Sequence, residues 1–424
     1  QGIIADCAAM TKRCGYIKPR HLLTGESMNN KDRIAEYIKN GAKKTDKIGI
    51  ELEHFVVDSV TDDNIPYSGK HGVGEILSEI SEFYDKKVYS EGFLIGLSNG
   101  RYHLTLEPSA QLEISICPVG DISEADKIYN EFSEIVTPVL KKHGCKLLTV
   151  GTRPKGTAAE QELIPKKRYK FMNEYFEHTG TCGKNMMRQT ASTQVSVDYA
   201  DEKDCVMKFR AANILSPLFA LICDNSTVLD GKSYDGRMIR TYIWQNVDND
   251  RCGTVPCTFD RNFGFDGYAE YIYNNPAVLI MENGMPVFTG EKKISDIYGK
   301  KELDEAEIEH LLSMFFPDVR LKQYIEIRPA DSMPISYALS YAAFIKGIFK
   351  SADKFVFDGV TVSDINKAKA ALSRDGFNAD VYGKNAALLC DVLLDTAKKN
   401  LGPPDAEYLR PIEKIIAERR TLRD

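Results

Sequence analysis

Five short stretches of this chain carry charged or amide side chains at alternate positions inside otherwise apolar, β-favouring runs. They read I-G-I-E-L-E-H-F (48–55), L-T-L-E-P-S-A-Q-L-E-I-S (104–115), Q-T-A-S-T-Q-V-S-V-D (189–198), R-T-Y-I-W-Q-N-V-D-N-D-R (240–251) and Y-I-E-I-R-P-A-D (324–331). On a strand, residues two apart point to the same side. Glu51 with Glu53, Gln111 with Glu113, Gln194 with Ser196, and Glu326 with Arg328 are therefore each expected to share a face.

The remaining pattern places elements around these strands. A helix is expected from Asn30 to about Gly41, with Ile34, Tyr37 and Ile38 on one stripe. Strand 48–57, helix 71–85 and strands 88–98 and 101–107 follow, the last two joined at Ser98-Asn99-Gly100. A strand over 111–117 ends at Pro118, and a helix capped by Asp121 or Ser123 runs to about His143 and Gly144. Next come strand 146–151, helix 165–178, strand 189–199 and a helix over 202–223, kinked at Pro217. Residues 231–262, rich in Gly, Asp, Asn and Arg, read as a mobile, ligand-facing segment. After strand 323–328 the chain turns helical from about 335, over 336–350, 365–373 and 384–401, and Gly402-Pro403-Pro404 precedes a basic terminal helix. Strands without regular βαβ alternation argue an α+β fold with a mostly antiparallel sheet.

Composition narrows the class. The 424 residues are 43% hydrophobic and 27% charged, with a net charge of −6, as in a soluble globular chain. That balance argues against a nucleic-acid surface, and no apolar run approaches the ~20 residues that span a bilayer, so neither nucleic acid nor membrane is an expected partner. Ten scattered cysteines without a C-x-x-C pair fit reduced thiols in a cytoplasmic protein. Residues 1–27 lack the continuous apolar core of a signal peptide and are set aside as an extension, leaving 28–424 as one catalytic domain.

The chemistry lies in the acidic strands. Glu51 and Glu53 sit side by side, Glu107 ends a strand before a proline turn, Glu113 lies on the returning strand, and Glu326 stands beside Arg328. Carboxylates that share a face repel unless a cation or solvent intervenes. Magnesium accepts carboxylates together with phosphate oxygens, so a metal holding a polyphosphate is the natural occupant; for any one strand a solvated face is the alternative. Arg168, Arg188, Arg240, Arg251 and Arg328 supply guanidinium forks suited to carboxylate and phosphate oxygens. Trp244, the single tryptophan, is either part of an amino-acid clamp or a core anchor. Gly231-Lys232-Ser233 lacks the leading glycine of a P-loop, and no G-x-G-x-x-G, G-x-S-x-G or H-E-x-x-H occurs. Phosphate recognition must then rest on metal and arginine.

Taken in order, these segments, with I-P-K-K-R-Y-K-F-M (164–172), M-M-R-Q (186–189) and K-F-R-A-A-N-I-L-S-P (208–217), resemble the glutamate–cysteine ligases of the plant and proteobacterial type. The resemblance implies a glutamine-synthetase-like antiparallel sheet forming a funnel-shaped active site, with helices packed outside. It implies that ATP phosphorylates the γ-carboxylate of L-glutamate and that the amine of L-cysteine attacks the acyl phosphate. The product is γ-glutamylcysteine, the first step of glutathione-type thiol synthesis. By motif, Glu51, Glu53, Glu107, Glu113 and Glu326 would hold two or more Mg²⁺ (or Mn²⁺) ions, with Gln111 and Gln194 lining the same floor. Arg168 and Arg240 would hold the α-carboxylate of glutamate, Arg251 and Arg328 would face phosphate, and Trp244 and Asp331 would touch substrate. Glu51, Glu53 and Arg328 are the expected catalytic groups.

The chain departs from the family pattern at His54 (Lys), at Ser109-Ala110 (Gly-Gly), at Ser196 (often Asn) and at Pro329 (Gly). These changes spare the metal set and leave the acceptor amine open. Two alternatives therefore stand beside a cysteine ligase: a γ-glutamyl ligase for another amine, and a non-catalytic nucleotide-binding relative. The oligomeric state is not legible.

Overall fold

The longest strand, β1 (Ile48–Asp58), organises the molecule. Its residues alternate Ile48, Ile50 and Leu52, all buried, with Gly49, Glu51 and Glu53 on the other side. The computed structural model describes residues 28–424; the expected extension over 1–27, with Cys7 and Cys14, lies outside them.

Around β1 the chain lays down β2 (Lys86–Ser90), β3 (Phe93–Ser98), β4 (Tyr102–Leu106), β5 (Leu112–Val119), β6 (Cys145–Leu148), β7 (Ser192–Val197), β8 (Val319–Leu321) and β9 (Ile325–Asp331). They form one sheet in the order β8-β9-β7-β1-β5-β4-β3-β2, with β6 on the far half of β1. Each of these pairings is antiparallel.

One face of the sheet is apolar: Ile50, Leu104, Ile114, Val195 and Ile327 are all buried on it. Against it pack α2 (Val73–Ile80), α3 (Ile122–Lys142), α6 (Glu202–Ile222) and α8 (Ile335–Phe349); α1 (Asn30–Lys39) packs on the helix Phe265–Tyr273, and α4 (Lys167–Thr179), α5 (Gly183–Gln189) and α7 (Ile239–Gln245) complete the helical surround. Each buried Ile or Leu contributes roughly 1.5–3 kcal/mol. A one-residue slip would expose the whole set, so the register that gathers the acidic residues is fixed from behind.

α6 is the one described helix long and apolar enough to cross a membrane by length and composition, and 78% of its most apolar window is buried inside the fold. Its Pro217 removes an N–H, and the orphaned Asn213 carbonyl instead accepts from Ser216 Oγ at 2.9 Å.

Several boundaries differ from expectation for local reasons. The run 88–98 is a hairpin rather than one strand, because Glu91 (φ 52°) and Gly92 (φ 88°) turn it. β5 passes through Pro118 to Val119, since a bulge opposite Gly49 spares the missing N–H. The start of the expected strand 189–199 is helix α5, and strand 146–151 stops at Leu148. The hairpin Pro276–Glu282/Met285–Lys293 and the helix Phe265–Tyr273 were not expected. The last helix, Arg410–Glu418, is of mixed charge; its cluster of arginines follows it.

Candidate active site

Residues directly opposite on paired strands share a face, so the register alone assembles the site. Across β1, Glu51 stands between Gln194 and Ser115, and Glu53 stands opposite Glu113, which in turn faces Thr105. On the other flank Glu326 lies between Ser196 and Arg320. Glu107 comes from the turn between β4 and β5, its N–H bonded to the Gln111 carbonyl at 2.9 Å. In that turn Ala110 is held at φ 63°, a conformation that favours glycine and matches its departure from the family pattern.

The electrostatics of the face follow from crowding. Burial, then the charges of Glu113 and Glu326, push the Glu51 carboxyl up to about 8. Burial, then Glu113 and Glu53, push Glu107 up to about 8 as well. Glu53 and Glu113 are also raised, chiefly by burial. Hydrogen bonds hold both in place. Glu53 accepts from Ser192 N and Oγ, each at 2.8 Å, and from Gln194 Nε2 at 3.0 Å. Glu113 accepts from Thr105 Oγ1 and Ser115 Oγ, each at 2.9 Å. Four carboxyl groups on one face, short of compensating positive charge, are the donor set a hard divalent cation takes. As placed, no three of their oxygens lie within 4.8 Å of one another, so the set is gathered without being closed.

Glu326 stands in a different setting from the other four. Its carboxylate is fully buried and paired with Arg320 at 2.6 Å, Arg328 at 2.9 Å and Lys322 at 3.3 Å. Burial opposes its ionisation, yet the three cations hold it far below the usual carboxylate range. As placed, this carboxylate organises three cations, which sets it apart from the other four. Gln194 connects the two halves, its amide N–H₂ on Glu53 and its oxygen accepting from Arg328.

The other expected residues separate. Arg240, on α7, is buried and donates to the Pro329 and Ala330 carbonyls at 3.2 and 2.9 Å, while its Nε has no partner. It lines a small pocket with Trp244 and Arg328, and the Arg328 guanidinium lies 5.9 Å from the Trp244 ring. Trp244 packs on Phe316, so it is both wall and anchor. Asp331 pairs with Arg240 at 3.6 Å and accepts from Asn225 N and Ser226 Oγ, which bolts down the chain beside it.

Arg251 is not a phosphate contact. It is wholly buried, bonded to Asp248, the Met314 and Pro276 carbonyls and Tyr175. Its segment, expected to be mobile and ligand-facing, carries α7 and is tied to the core through Arg251. Gln111 is buried, its side-chain oxygen accepting from Ser109 N and its amide donating to the Thr190 and Met187 carbonyls. Arg168 donates to the Ser313 carbonyl and hydroxyl at 3.2 and 3.1 Å and sits close enough to bias Glu107. Arg188 braces the Ala158 and Gln161 carbonyls.

Arg320 and Lys322 were not anticipated. The signal was V-R-L-K (319–322), separated by Gln323 alone from Y-I-E-I-R, a second alternation folded back on the first.

This architecture is shared. The crystal structure of the glutamate–cysteine ligase of Francisella tularensis in complex with AMP superposes with a TM-score of 0.54 at 11% identity, covering 90% of this chain and 84% of that one. The antiparallel sheet and its helical backing thus have the glutamine-synthetase-like fold. Glutamate–cysteine ligase B, chloroplastic, of Oryza sativa subsp. japonica is 29% identical over 405 residues, covering 91% of this chain and 81% of its own. The chloroplastic glutamate–cysteine ligase of Arabidopsis thaliana is 32% identical over 409 residues, covering 92% and 78%. With residues 47–397 matching its family model, the chain belongs to glutamate-cysteine ligase family 2.

Proposed function

We propose that this protein joins the γ-carboxylate of L-glutamate to the amine of L-cysteine at the expense of ATP. The observation that carries the reading is a sheet face on which four carboxyl groups of raised pKa stand against the cations Arg320, Lys322 and Arg328. In the first step a γ-carboxylate oxygen attacks the terminal phosphorus of ATP and ADP leaves. In the second the amine nitrogen attacks the acyl carbon, phosphate departs with the bonding pair, and the nitrogen loses a proton.

Such a reaction needs charge neutralisation and alignment more than a nucleophilic side chain. Mg²⁺, when bound, would supply charge neutralisation of the polyphosphate; Glu51, Glu53, Glu107 and Glu113 would hold it. Arg328, kept in place by Glu326 and Gln194, would face the transferred phosphoryl group. Arg240, with an unbonded buried Nε beside Trp244, would clamp a carboxylate of the amino-acid substrate.

A ligase for a different amine is the second reading, favoured by the altered turn at Ser109-Ala110 and by Pro329. Glutamate-dependent ADP release across a panel of amines separates them: preference for cysteine supports the first, and preference for another amine replaces it. Eight free cysteines among the described residues suit a reducing compartment such as the cytoplasm.

A further inference from the structure

On the helix-covered side of the sheet, the loop before α2 meets the end of α3. His71 Nδ1 lies 3.0 Å from His143 Nδ1, two residues 72 apart in sequence. His71, Glu75 and His143 form the one described trio of His, Cys, Asp and Glu ligand atoms lying within 4.8 Å of one another. None belongs to the ligase site.

The hydrogen bonds fix where the protons are. His143 Nε2 lies 3.0 Å from Glu79 Oε2, an acceptor-only group further held by Lys142 at 2.8 Å. Nε2 therefore carries a hydrogen, and in the neutral imidazole His143 Nδ1 presents a lone pair. His71 Nδ1–H then donates to it. A carboxylate behind the far nitrogen of a histidine is the support metal-binding imidazoles characteristically receive. Metal–nitrogen bonds of about 2.0–2.1 Å in tetrahedral geometry place two nitrogens about 3.3 Å apart, only slightly wider than the spacing here.

We propose that His71, His143 and Glu75 bind one zinc-class divalent cation as a structural staple between the ends of α2 and α3. The ion takes the place of the hydrogen between the two Nδ1 atoms, and His71 carries its hydrogen on Nε2 instead, exchanged through solvent, so that both imidazoles ligate as neutral rings. Glu75 supplies an oxygen, and water completes the tetrahedron. Imidazole nitrogens favour zinc over magnesium, which separates this site from the all-carboxylate floor of the ligase site.

The test is calorimetric titration of the full chain with Zn²⁺ in a large excess of Mg²⁺, which occupies the carboxylate floor, followed by thermal melts. One Zn²⁺ per chain is expected, with a Tm that climbs with free Zn²⁺. His71→Ala and Glu75→Gln, both at exposed positions, should each weaken that binding at least tenfold with ligase turnover and circular dichroism unchanged. Glu79→Gln should weaken it about 10–100-fold through His143. Absence of Zn²⁺ binding under excess Mg²⁺, or unchanged binding in both His71→Ala and Glu75→Gln, overturns the proposal.

Discussion

Glu326 and Arg320 face each other across β9 and β8 at 2.6 Å, neither with more than a trace of exposed surface. The carboxylate also holds Arg328 and Lys322, so its removal would leave three cations close together without their counter-charge. Stripping one partner from a buried ion pair costs about 3–5 kcal/mol. Glu326→Ala should therefore lower stability by about that amount, measured by urea denaturation, and abolish turnover. An active variant of unchanged stability would contradict the organising role.

Gln194 is the link between Glu53 and the Arg328 guanidinium. Gln194→Leu keeps the size and removes both bonds. Since bonds to charged groups are worth about 1.5–3 kcal/mol, kcat should fall about 10–100-fold. Steady-state kinetics alongside thermal melts decide whether the loss is catalytic.

Arg240 and Arg251 should part company. Arg240→Met is expected to raise the KM for glutamate more than tenfold while leaving kcat nearer wild type, as a ground-state contact would. Arg251→Met breaks only internal bonds to Asp248, Tyr175 and two carbonyls. It should lower Tm, and any folded fraction should keep its KM. Equal KM effects would place Arg251 back in the site.

The pH dependence follows from Glu51 and Glu107, both raised to about 8 by burial and neighbouring carboxylates. A carboxyl whose folded pKa exceeds its unfolded value near 4.5 binds more protons when folded. Its stabilising effect is complete below about 4.5 and fades as pH rises through 8. Metal-free protein should thus lose stability over pH 5–8. Mg²⁺ competes with those protons, so calorimetric titration at pH 7 in buffers of different ionisation enthalpy should reveal proton release. Release near zero would argue against these two groups as ligands.

What the sequence revealed, and what it hid, divides along one physical line. Glu51, Glu53, Glu113 and Glu326 were legible as sharing a face because strand periodicity is local and the apolar alternates pin the register. Which of them meets a cation is set by strand pairing, so Arg320, on a strand of three residues, and Lys322, just past its end, were not expected. Arg251 and Gln111 sat in motifs rich in chemistry, yet their bonds go to carbonyls far along the chain, which no spacing discloses. The unexpected hairpin over 276–293 turns at Asn283-Gly284, an Asn-Gly pair of the kind that marks such turns, with both residues at positive φ.

The central claim is that Glu51 and its neighbours serve ATP-driven amide formation. It is tested most directly by ADP release with ATP, Mg²⁺, glutamate and cysteine, comparing wild type with Glu51→Gln. The expected result is ADP and γ-glutamylcysteine in equal amounts from the wild type, and a rate at least 100-fold lower from a variant that melts normally. Equal rates from the two proteins, or no ADP from the wild type with any amine, would contradict it.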